Sequence, residues 1–81
     1  MELKADEMFE KIKYKKIIDP DEYFCMGNWI AYRQERKPVN QILGFDSDEK
    51  RILVNSHFLT IEELCAIYKK CEELGWTKKE E

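Results

Sequence analysis

The sequence predicts an α+β fold: a three- to four-stranded antiparallel β-meander flanked in sequence by an N-terminal and a C-terminal α-helix packed on one face of the sheet. Three observations predict it. Ala5, Met8, Phe9 and Ile12 recur at the three-and-four spacing of a helix face. The stretch Leu59-Thr60-Ile61-Glu62-Glu63-Leu64 has the residues of a helix start. Between them lie about 45 residues of aromatic and β-branched runs broken by turn residues.

The first helix carries Asp6, Glu7 and Glu10 toward its positive N-terminal end and Lys11 and Lys13 toward the other, and should end near Ile12 or Lys13. Tyr14 to Ile18 is a short strand, and Asp19-Pro20-Asp21 is a turn. Glu22 to Gln34 is rich in aromatics and β-formers, interrupted by Gly27-Asn28, which suits either a two-residue hairpin turn or a bulge within one longer strand. A connection over Glu35 to Asn40 leads to a strand at Gln41 to Asp46. The turn Ser47-Asp48-Glu49 then leads to a strand at Lys50 to Asn55. The element order is α-β-β-β-β-α or α-β-β-β-α, with one face of the sheet buried.

In the last helix Thr60 is placed as N-cap, Glu63 returns the bond of a capping box, and Leu59 opposes Leu64 as a hydrophobic staple. From Ile61 the apolar stripe is expected to run through Leu64, Cys65, Tyr68 and Cys71. Gly75 stands where a left-handed C-terminal cap belongs, so the helix should span about residues 61–74, with Trp76 packed on Cys71.

Length and composition bound the rest. Eighty-one residues make a single domain, 1–81, with a net charge of −3. No apolar run approaches the roughly 20 residues of a membrane span, and the charged start MELKADEMFEKIKYKK does not read as a secretory signal, so a cytoplasmic location is expected. Three cysteines, an odd number, read as free thiols. Cys65 and Cys71 fall about 120° and roughly 9 Å apart on one helix, too far for a disulfide, and with the lone His57 they lack zinc-site spacing. Both are expected to pack in the core or the cap.

No catalytic constellation can be assembled. His57 has no partner in an identifiable motif and reads as a surface or edge residue. The acidic clusters do not make a calcium loop. Counting from Asp46, the sixth and twelfth positions hold Arg51 and His57; counting from Asp19, they hold Phe24 and Ile30. The three glycines stand singly, which excludes a phosphate-cradling loop. The chain is therefore read as non-enzymatic, with no cofactor and no metal.

Lys11, Lys13, Lys15 and Lys16 surround Tyr14, and Arg33, Arg36 and Lys37 follow Trp29 and Tyr32, a mix that in a sheet can stack on and neutralise nucleic acid. Against this, residues 1–40 hold eight basic and eight acidic side chains, so the net charge lies in residues 41–81, with six basic and nine acidic. An acidic surface suits a basic protein partner better. Tyr23, Trp29, Tyr32, Arg33 and Arg36 are the expected contact residues, because aromatics and arginine dominate interface energetics. An edge strand is also open to pairing with a second copy.

The segments ADEMFEKIKYKKI, EYF and LTIEELCAIYKKCEELGW resemble a family of small phage and prophage proteins of Gram-positive bacteria, whose members open with an ADEMFEKLGYKKI-like segment and close with an ITMEELKAINKKCEELGW-like helix. Lys13 stands where the family has Gly. The resemblance covers the two ends, less than half of the chain, and implies the fold and a phage context; it brings no established activity and no site residue. The expected function is protein-protein binding in the host cytoplasm, with inhibition of a host defence or nucleic-acid-handling factor as its sharpest form. The alternative is a nucleic-acid-binding accessory protein.

Overall fold

The computed structural model describes residues 3–22, 24, 27–55 and 58–77. The elements are α1 (Ala5–Lys11), β1 (Tyr14–Lys16), a 3₁₀ turn (Pro20–Glu22), β2 (Trp29–Gln34), β3 (Gln41–Asp46), β4 (Arg51–Val54) and α2 (Ile61–Glu73). The four strands form one antiparallel sheet in the order β1-β2-β3-β4, the meander expected from the turn spacing. None of the helices described is long and apolar enough to cross a membrane.

Strand alternation divides the sheet into two faces. On one, Tyr14, Tyr32, Leu43 and Phe45 join Ala5 and Phe9 of α1 and Ala66 and Ile67 of α2 in the main core. The expected α1 stripe holds: Ala5 and Phe9 are fully buried, and Met8 and Ile12 pack against the same cluster. Phe9 lies stacked on Tyr32 at 4.3 Å and edge-on to Tyr14 and Phe45, so one ring ties α1 to three strands. The two helices run antiparallel, with the Ala5 N–H donating to Glu73 Oε2 at 2.7 Å.

The other face is covered as well, against the expectation that only one would be. Every residue of β3 is buried. Phe24 comes across Ala31 and Ile42 with Ile17 and Trp29 beside it, a second small cluster. The cover is possible because Gly44 has no side chain: a Cβ there would lie 2.7 Å from Phe24 Cζ and 3.0 Å from Trp29 Cε3. Among the described residues of the run from Glu22 to Gln34, Glu22 closes the 3₁₀ turn, Phe24 is in no strand and β2 begins only at Trp29. Gly27, at φ 97°, leads the chain into β2. Asn28 is held by Asp48, whose Oδ2 accepts from its backbone N–H at 3.3 Å and whose Oδ1 accepts from its side-chain amide at 3.2 Å.

The capping box and the C-terminal cap of α2 are as expected, whereas of the expected staple pair Leu59 packs on the main core and Leu64 lies on the exposed face. Thr60 Oγ1 accepts from the Glu63 N–H at 3.1 Å and Glu63 Oε1 from the Thr60 N–H at 2.7 Å. At the other end Gly75 has φ 79°, its N–H donates to the Glu72 carbonyl at 3.0 Å, and that of Trp76 donates to the Cys71 carbonyl at 2.9 Å. Cys71 and Trp76 both pack on the main core.

Candidate protein-docking face

The rotation of α2 about its axis leaves an apolar face of the helix exposed. Its buried residues are Glu63, Ala66, Ile67 and Lys70, not the expected stripe. Ile61 is 71% exposed, Leu64 48% and Tyr68 58%, Cys65 is exposed too, and Phe58 just before the helix is 84% exposed. At 100° per residue, Ile61, Leu64, Cys65 and Tyr68 form one face, opposite to the one that meets the core. The reading of Cys65 as a packed thiol is corrected. Cys71 is partly buried, and burial raises its thiol pKa.

Two polar clusters go with that rotation, one buried at Glu63 and one half-exposed at Asp6. Glu63, 2% exposed, accepts from the Tyr14 hydroxyl and from Arg36 Nη2 at 2.5 Å. Burial pushes its carboxyl pKa up, but the bonds from Tyr14 and Thr60 and the Arg36 charge outweigh that and hold it below its ordinary value. About two turns further on, Lys70 Nζ lies 3.7 Å from Asp6 Oδ1, and Asp6 accepts from the Tyr32 hydroxyl. That bond is the main cause of Asp6's lowered pKa; burial opposes it, and Lys70 and Lys16 assist. Both tyrosines are raised well above their ordinary value, first by burial and then by these carboxylates, so they stay neutral donors at neutral pH. Turning the apolar stripe inward would break both pairs and leave the buried Tyr14 hydroxyl without its acceptor.

The residues expected to form a contact surface are not brought together. Tyr23 lies outside the described residues, as do Cys25 and His57. Tyr32 is 1% exposed and belongs to the core, a correction with a simple cause: it stands three residues from Trp29 in a strand, so the two must face opposite ways. Trp29 is partly buried and stacked on Phe24 at 4.2 Å with rings 5° from parallel, which fills the surface a base would need. Arg33 shares that outer face and pairs in register with Lys15. Arg36 is held by Glu63 and by Gln34 Oε1.

Beside α1 lies a cleft of about 750 Å³ lined by Lys13, Lys15, Lys16 and Arg33 and by Asp6, Glu7, Glu10 and Glu35. Cations and carboxylates are equal in number, so the cleft favours neither sign of ligand. Among the described residues no group of three or more His, Cys, Asp or Glu is placed to hold a metal.

The periodicity of α2 shows the stripe of Ile61, Leu64, Cys65 and Tyr68, and the structure turns it outward rather than into the core. Ala66, Ile67 and Leu74 give the helix a second apolar stripe, and that was the available signal. Compared with protein-family models, with curated proteins and with solved structures, the chain matches none.

Proposed function

We propose that the protein is a non-enzymatic protein-binding module that docks its partner through the outer face of α2. The observation that carries this reading is the row Ile61, Leu64 and Tyr68 on α2 with Phe58 just before it, four large apolar side chains 48% to 84% exposed. Such a row in water is costly to keep and marks an interaction site more often than chance. Its helical spacing suits a groove or a second helix as receptor. The resemblance of the chain's two ends to phage proteins suggests a host factor in the cytoplasm as target, with inhibition as the outcome.

A second reading, nucleic-acid binding, draws on Lys15 and Arg33, cross-strand neighbours on the outer sheet face beside Trp29. The balanced charge of residues 1–40 weighs against it.

The test is affinity capture from a Gram-positive lysate, with and without nuclease, using wild type and the double variant Ile61→Asp, Tyr68→Asp. Both positions are exposed, so the fold should be unchanged by circular dichroism. A partner that survives nuclease and is lost with the variant supports the docking face. Recovery of nucleic acid by both proteins, with Lys15→Glu and Arg33→Glu abolishing it, would replace this reading with the second.

A further inference from the structure

We infer that the occupant of the α2 face is a second copy of this chain, the two α2 helices packing antiparallel about a two-fold axis beside Cys65. The inference rests on the docking reading above and names its first partner. The spacing allows it: Ile61, Leu64, Cys65 and Tyr68 are distributed nearly evenly about that point, so the stripe is complementary to its own reverse.

Charge then selects this occupant. At 100° per residue Glu62 and Lys69 lie on the same flank of the stripe, within about 20° of each other and roughly 10 Å apart along the axis. A two-fold axis perpendicular to both helices sets like flanks together and reverses their direction. Glu62 of one copy then comes level with Lys69 of the other to within two residues, about 3 Å along the axis, and the pairing occurs twice. Lys69, its side chain 24% exposed, already meets Glu72 at 3.9 Å within its own helix, and its ammonium has three donors to divide between carboxylates. Antiparallel packing also opposes the two helix dipoles.

Area agrees with a modest affinity. Weighted by exposure, Phe58, Ile61, Leu64 and Tyr68 leave on the order of 500 Å² open. A stable interface needs roughly 800 Å² per partner, and Glu62, Cys65 and Lys69 on the flank supply much of the difference. That area is at the small end of specific interfaces, where weak, reversible association is expected.

The experiment is sedimentation equilibrium of the full chain over about 1 to 200 µM, a range that brackets a micromolar dissociation constant. Wild type should pass from monomer to dimer. Glu62→Lys and Lys69→Glu should each weaken association about tenfold, and the double charge swap should restore most of it. A short bismaleimide should link Cys65 of one copy to Cys65 of the other. A wild type monomeric throughout, or a dimer indifferent to Ile61→Asp, overturns the inference. A monomeric wild type that still loses a captured partner on Ile61→Asp removes the second copy and leaves the docking reading standing. If neither assembly nor capture responds to Ile61→Asp, both are wrong.

Discussion

Arg36, from the connection between β2 and β3, meets Glu63, in the first turn of α2, at 2.5 Å, with the glutamate side chain 2% and the arginine 34% exposed. The pair joins the least regular part of the sheet to the start of the helix and helps decide which face of α2 looks outward. Removing one partner of a buried pair costs more than the pair contributes, because the survivor stays desolvated. Arg36→Ala should destabilise the fold by about 1–3 kcal/mol in urea denaturation, less than for a fully buried pair because water reaches the arginine. Tyr14→Phe, which removes the hydroxyl bound to Glu63, should cost about 1 kcal/mol.

The same clusters set the pH limits of stability. Asp6 and Glu63 have folded-state pKa values below their ordinary 3.8 and 4.5, so their contribution is present above those values and is lost as pH falls through the lowered ones. Tyr14 and Tyr32 are displaced upward from 10.0, so their contribution is present below that value and fades as pH rises beyond it. The urea midpoint should be flat from about pH 6 to 9 and should fall below about pH 4.5 and above about pH 10. Tyr14→Phe should flatten part of the alkaline limb; an unchanged limb would mean that the tyrosine ionises as easily folded as unfolded.

Gly44 is needed for packing rather than for backbone freedom. Gly44→Ala places a methyl group 2.7 Å from Phe24 Cζ and should push Phe24 off the outer sheet face. The expected loss is about 1–3 kcal/mol. A change in near-ultraviolet circular dichroism should accompany it, because the Phe24–Trp29 stack at 4.2 Å is disturbed. Retention of both stability and the aromatic signal would show that Phe24 yields without cost.

Local rules made the element boundaries legible. β3 is the expected strand Gln41–Asp46, and the Thr60–Glu63 box and the Gly75–Trp76 cap bound α2 within a residue. These signals depend on a few neighbouring residues and survive any tertiary context. What was not legible depends on distant partners. The outward turn of Ile61 and Tyr68 follows from Glu63 reaching Tyr14, 49 residues away, and from Lys70 reaching Asp6. The second core cluster follows from Phe24 meeting Gly44 across the sheet. Periodicity finds an apolar stripe but cannot choose between two, so the site was the part most exposed to error.

Lys13 marks a position where the chain carries strain. It follows the α1 C-cap at Ile12 with φ 73°, the left-handed region, and its N–H donates to the Glu10 carbonyl at 3.0 Å. This is the place of a C′ glycine, and a residue with a Cβ pays roughly 1 kcal/mol to stand there. Lys13 is exposed, so replacing it loses no packing. Lys13→Gly should therefore stabilise the protein by about 0.5–1 kcal/mol, the backbone gain exceeding the entropy that glycine returns to the unfolded chain. Gly75→Ala is the mirror experiment: nothing lies within 4 Å of the added Cβ, so its expected loss of about 1 kcal/mol is purely conformational. Thermal unfolding of both variants should show shifts of opposite sign and similar size. A destabilised Lys13→Gly would mean that the lysine charge near the helix C-terminus outweighs the backbone cost.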